Sequence, residues 1–374
     1  MEDPPEEKPP EEGFPLGSKV PIVTAEVIID KNLTFDEASR CLNTLGKDES
    51  GVRYAYLMLS AFDQKLTNIE VILNFKHLLF VDVSGNYLNT DSLQVLSQMP
   101  FVIYIKAQRN RIESACLNPM PYLQVLILSR NRITETCDIN QPMLQCLDLN
   151  YNLIFTPQFD KERLECIKQI EMRGNSMFDL SGTFPDNLEN LYLAENHITI
   201  FIENDMAKLT NLKILHLRDN QIRKLNGFTR DMVNLTYLNL RKNQINKIRQ
   251  FRKLACLPAL ETLIYSENPV AGEPKPPGGG GEDDEGGEEV EGEGGAVEDP
   301  TRVPVLVLLP NLKRINKLPV GFEEKEEAFE TKDKKYEEIM NEESSEDEVE
   351  PPTTTDFTTD YNTTTADLED YDDV

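Results

Sequence analysis

The chain has 374 residues, a formal net charge of −28 and a mean hydropathy of −0.45. Residues 1–32, 271–300 and 321–374 carry −32 between them, so the remainder is close to neutral, at +4. Acidic runs of this kind are solvated and repel phosphate, which disfavours direct binding to nucleic acid or to an anionic membrane.

Residues 1–32 form an acidic arm with Pro4, Pro5, Pro9 and Pro10 and read as disordered. A secretory leader is basic and then apolar, and this arm is neither, so a soluble intracellular protein is expected. Residues 33–56 read as a helix that caps the N-terminal end of the repeats. Thr34 and Glu37 have capping-box spacing, Phe35, Ala38, Leu42 and Leu45 share a face, and Gly46 marks the stop.

From 57 to 270 the chain repeats. After a degenerate first coil built on Tyr56, Leu57, Leu59, Leu66 and Ile69, an asparagine recurs nine times, at Asn86, Asn110, Asn131, Asn152, Asn175, Asn196, Asn220, Asn243 and Asn268. Apolar residues stand eight, five and three positions before it and two after, most clearly in Leu212-x-x-Leu215-x-Leu217-x-x-Asn220-x-Ile222. This is the leucine-rich-repeat frame. One such coil cannot bury its apolar residues alone, whereas stacked coils bury them against each other. The expected fold is therefore an α/β leucine-rich-repeat solenoid with a curved parallel sheet inside. The asparagine spacings, 21 to 25 residues, leave room only for short helical or 3₁₀ turns on the convex side. The asparagine side chain can satisfy backbone groups where the strand turns out of the sheet.

Residues 271–300 are an acidic Gly-rich insertion. Residues 301–320, with the apolar run Val303–Leu309 and then Leu312 and Ile315, read as a C-terminal cap hiding the last coil. That run is too short to span a bilayer. Residues 321–343 read as one charged helix, in which Phe322, Phe329 and Tyr336 recur every seven residues and Glu330 stands four before Lys334. Residues 344–374 are a disordered acidic Thr-rich tail. Ser344 and Ser345 precede Glu346, Asp347 and Glu348, a pattern suited to an acid-directed kinase.

No catalytic, nucleotide-binding or metal-binding pattern is visible, so no enzyme activity, cofactor or small-molecule substrate is expected. His77, His197 and His216 fall in different coils, and the six cysteines, with no C-x-x-C pair, read as reduced thiols. The period of two in a strand points alternate residues at the concave face. Arg173, Tyr192, His216, Arg218, Tyr237 and Arg241 gather there on coils five to eight. Tyrosine and arginine dominate protein–protein hot spots, so this cluster is the candidate partner site.

The ordered detail carries a resemblance. Asn190-Leu-Tyr-Leu-Ala-Glu-Asn196, Leu212 to Ile222, Gly227-Phe-Thr-Arg-Asp-Met232 and Leu235-Thr-Tyr-Leu-Asn-Leu-Arg241 resemble the leucine-rich repeat-containing protein 23 family. So do Leu33-Thr-Phe-Asp-Glu37, Leu66-Thr-Asn-Ile69 and Leu257-Pro-Ala-Leu260. The resemblance spans roughly 33–320, and the acidic insertion departs from it. It implies a non-catalytic structural component of the third radial spoke head of the ciliary and flagellar axoneme. Its partners would be other spoke or axonemal proteins, its place the cytoskeleton, and its role motility, including that of sperm. Two other classes fit short cytosolic coils: a regulatory subunit of a protein phosphatase, and an acidic nuclear leucine-rich-repeat protein.

Overall fold

A computed structural model of the chain describes residues 29–48, 50–202, 206–272 and 299–341. Most of the N-terminal arm, the acidic insertion from 273 to 298, and the tail from 342, with Ser344 and Ser345, lie outside the described residues.

Among the described residues, thirteen strands form one open sheet in chain order. Nine are the expected three-residue strands of the regular coils: β3 (Phe80–Asp82), β4 (Tyr104–Lys106), β5 (Val125–Ile127), β6 (Cys146–Asp148), β7 (Gln169–Glu171), β8 (Asn190–Tyr192), β9 (Ile214–His216), β10 (Tyr237–Asn239) and β11 (Thr262–Ile264). They pair in parallel with equivalent residues opposite each other, as Tyr192 is opposite His216. The middle residue of each is buried, Leu215 and Leu238 among them, and its neighbours face the concave side. Convex turns are short, as the repeat length required. They include α2 (Thr90–Gln94) and 3₁₀ turns at Glu70–Asn74, Val95–Gln98, Lys161–Arg163 and Ile248–Cys256.

The asparagines stitch coils together. Asn110 is typical. Its Nδ2 donates to the Val83 carbonyl of the preceding coil at 3.1 Å and to the Ala107 carbonyl of its own at 3.0 Å, and its Oδ1 accepts from the Leu88 N–H at 3.0 Å. All nine are at most 8% exposed, so these bonds replace water that cannot reach the backbone. The residue before each asparagine is left-handed. Gly85, Arg109, Arg130, Tyr151, Gly174, Glu195, Asp219, Lys242 and Glu267 have φ from 54° to 67°. That single left-handed residue turns the strand sharply onto the flank. No β-branched residue occupies the position, where its side chain would clash.

The N-terminal cap differs from expectation. The capping box of Thr34 and Glu37 is present, but helix α1 spans only Phe35–Cys41, not 33–56. Leu42 is extended, and β1 (Leu42–Lys47) runs antiparallel to β2 (Tyr54–Ser60), the strand of the first coil. The unpaired edge of β2 is the physical reason. Its backbone groups gain partners from a strand and would gain none from a helix. Phe35 is left outside the core, stacked on Phe75 at 5.4 Å.

At the other end, α3 (Arg302–Leu308) tolerates Pro304 in its first turn and buries Val305, Leu306, Val307 and Leu308. It is followed by the hairpin of β12 (Arg314–Ile315) and β13 (Leu318–Pro319), with β12 parallel to β11. Arg302, 7% exposed, donates to the Ile315 and Pro319 carbonyls at 2.8 and 3.0 Å and pairs with Glu324 at 2.5 Å. Asn316 accepts from the Tyr265 and Ser266 N–H groups.

The single charged helix expected over 321–343 is two helices, α4 (Phe322–Glu330) and α5 (Lys332–Met340), broken at Thr331, whose hydroxyl donates to the Glu327 carbonyl at 2.6 Å. Their buried residues are Ala328 and Ile339, whereas Phe322 and Phe329 are about 80% exposed. The heptad of aromatics is therefore not the packing face. Both helices pack on α3, and Lys334 pairs with Glu338 along α5.

A candidate partner-binding face

The concave cluster assembles largely as the sequence suggested. Tyr192 and His216 are directly opposite on β8 and β9, while Tyr237 on β10 is opposite Ile214 and meets His216 diagonally across the same face. Ring centroids are 4.7 Å apart for Tyr192 and His216 and 4.9 Å for His216 and Tyr237, with planes inclined by 25° and 26°. Burial between two phenol rings pushes the His216 imidazole down to about 4, so it is neutral at physiological pH. Burial likewise raises the Tyr192 phenol.

The three arginines are not equivalent. Arg173 is closed by Glu195 at 2.6 Å, and the Tyr151 hydroxyl meets the other oxygen of that carboxylate at 3.1 Å. The hydrogen bond from Arg173 holds the Glu195 carboxyl below its ordinary value. Arg241 is closed by Glu267. The Nε atoms of Arg173 and Arg218 are both buried with no hydrogen-bond partner, and the Arg218 charge bears on Glu195 alongside that of Arg173. Glu195 and Glu267 are the left-handed residues of their coils. The frame spacing placed them beside the column of arginines, a signal that counting strand positions alone missed.

The N-terminal half of the same face is apolar along one column. Met58, Phe80, Tyr104, Val125 and Cys146 pair in register into an apolar lane, with Phe80 and Tyr104 rings 6.1 Å apart. Exposed Leu45 on β1 extends it opposite Tyr56. Burial pushes the Cys146 thiol in the lane up to about 11 and the Asp148 carboxyl beside it up to about 6. Cys146 is thus a concave-face residue, and all six cysteines are free thiols. Among the described residues no group of His, Cys, Asp and Glu is placed to hold a metal ion, and no helix is long and apolar enough to cross a membrane.

An open parallel sheet of short coils, laced by buried asparagines and presenting aromatic and arginine side chains on its concave side, defines a leucine-rich-repeat protein of a build that suits protein–protein interaction. Family models for leucine-rich repeats match residues 186–230, as two copies, and residues 210–270. Leucine-rich repeat-containing protein 23 of Bos taurus is 34% identical over 246 residues, which are 66% of this chain and 71% of that protein. The protein of the same name from Xenopus tropicalis is 34% identical over 320 residues, 80% of this chain and 77% of its own. The chain belongs to the leucine-rich repeat-containing protein 23 family. Among solved structures, a leucine-rich-repeat protein of Leptospira interrogans aligns with a TM-score of 0.42 and 20% identity, covering 68% of this chain and 65% of that one.

Proposed function

We propose that the protein is a non-catalytic scaffold that docks other axonemal proteins in the head of the third radial spoke, and so supports ciliary and flagellar motility. Family membership supports the setting, since the sequence resemblance implies a ciliary protein. The stack of Tyr192, His216 and Tyr237 beside the column of Arg173, Arg218 and Arg241 carries the choice of surface. Rings held by the sheet have little rotamer freedom left to lose, so a partner meets a preorganised surface.

The test is axonemal retention of the full chain carrying Arg218→Glu with Tyr237→Ala. Expected is release from axonemes with little change in thermal midpoint, because neither side chain belongs to the core, while Arg230→Glu outside the face is retained. Full retention of the concave variant overturns this choice of surface. Cytosolic or nuclear location of the unaltered protein overturns the ciliary reading itself and returns the phosphatase-regulatory and nuclear alternatives.

A further inference from the structure

The flank onto which each strand turns carries a patch that the repeat frame does not require. The third residue after the ladder asparagine is polar in most coils, as at Glu113, Thr134, Thr199 and Asn246. In coils four and five it is Phe155 and Phe178, 58% and 56% exposed, and one position further on in coil six stands Ile200, 48% exposed. Backbone bonds from the Ser176 N–H to the Ile154 carbonyl and from the His197 N–H to the Met177 carbonyl, at 3.0 and 2.9 Å, keep these coils in register. The same two rows continue as Arg223 and Lys224 in coil seven and Lys247 in coil eight. Their one acid across coils four to eight, Asp179, is engaged by the Ser181 N–H and hydroxyl at 2.9 and 2.5 Å. The flank is therefore apolar at one end and cationic at the other. Exposed large apolar side chains recurring on one flank of successive coils, with the Phe178 ring against His197 at 5.8 Å, mark an interaction site.

Its chemistry selects an acidic segment that also carries aromatic side chains. The chain contains one. Residues 356–373 interleave Phe357, Tyr361, Leu368 and Tyr371 with seven carboxylates and no basic residue. The described chain ends close by, since the Met340 sulfur lies 3.6 Å from Arg252 Nη1 on the convex side of coil eight. Residues 342–355 reach about 45 Å when extended. The four steps from coil eight to coil four span only about 19 Å. We infer that residues 356–373 dock on this flank, with aromatic side chains on Phe155, Phe178 and Ile200 and carboxylates toward Arg223, Lys224 and Lys247. The surface is then covered by the protein's own tail. This goes beyond the concave-face reading and does not depend on it.

Zero-length carbodiimide coupling of the full-length protein, read by mass spectrometry on an equal mixture of ¹⁴N- and ¹⁵N-labelled chains, tests it. Expected are links between carboxylates of 356–373 and Lys224 or Lys247 within one isotope. They should fall about tenfold in Phe155→Asp with Phe178→Asp, and weaken as salt rises. Phe357→Ala with Tyr361→Ala must lower the same links, and this pair lies in the tail, where it leaves the solenoid core untouched. Links that mix isotopes would assign the flank to a second copy and overturn the intramolecular contact. So would an absence of links, or links indifferent to Phe155 and Phe178.

Discussion

Asn220 shows what one side chain does for the repeat. Its Nδ2 donates to the Leu193 and Leu217 carbonyls at 3.0 and 3.1 Å, and its Oδ1 accepts from the Ile198 N–H at 3.0 Å. Asn220→Ala leaves buried backbone groups on two coils unpaired, at about 1–3 kcal/mol for each group left unsatisfied. Leu215→Ala, at a fully buried strand centre, costs about 2–5 kcal/mol. Urea midpoints measure both, and unchanged values for the pair would contradict the coil register. Two concave residues oppose each other in pH dependence. His216 titrates at about 4 when folded against 6.5 in the open chain, so the unfolded state binds more protons in that window and stability falls as pH drops from 6.5 to 4. Asp148 titrates at about 6 against 3.8, so the folded state binds more protons and stability is gained as pH drops from 6 to 3.8. Relative to the unaltered protein, His216→Phe should gain stability between pH 6.5 and 4, and Asp148→Asn should lose it between pH 6 and 3.8. Each change is about 3 kcal/mol at full extent. Parallel pH profiles for all three proteins would show that neither ring nor carboxyl is held as described.

Each end of the sheet is closed by an element that the adjacent coil demands. β1 covers the edge of β2, and the hairpin of β12 and β13 covers the edge of β11. Arg302 ties the C-terminal closure together, because one guanidinium reaches two hairpin carbonyls and the carboxylate that opens α4. Its hydrogen bond to Glu324 raises the Arg302 pKa and lowers that of Glu324. Arg302→Ala removes one partner of a largely buried pair and strands two carbonyls, at about 3–5 kcal/mol. Hydrogen exchange should accelerate through α3, α4 and the hairpin while the coils before β10 keep their protection. Uniform acceleration along the whole solenoid would mean that the cap does not open as a unit. Tyr265, fully buried with its hydroxyl 2.8 Å from the Thr301 hydroxyl, anchors the same cap to coil nine.

At the scale of the molecule, each coil bears on its neighbours, so stability is a sum of coil and interface contributions. The acidic insertion joins Gly272 to Asp299, and Asp299 already bonds to Thr301 and Asn316. Deleting Gly278–Gly295 should therefore leave the thermal midpoint nearly unchanged, because shortening a long loop alters its closure entropy by only about 0.6 kcal/mol per halving. A large loss of stability in calorimetry would show that the insertion packs on the cap.

The amino-acid order alone determined the number of coils, the parallel sheet, the register of every regular strand and the meeting of Tyr192, His216 and Tyr237. These follow from a period repeated nine times, in which each coil meets a copy of its own environment. The tertiary structure alone decided the ends and the charges. Residues 42–47 carry helical periodicity yet form a strand, because β2 had an unpaired edge to satisfy. The segment after 321 has heptad aromatics yet buries Ala328 and Ile339, because its two helices pack on α3 and the second also meets the convex turn Ile248–Cys256. Of three arginines in one column, Arg173 pairs with Glu195 and Arg241 with Glu267, and those pairings depend on where Glu195 and Glu267 fall across coils. Repetition is written locally. Caps and pairings depend on neighbours distant in the chain, which no local pattern records.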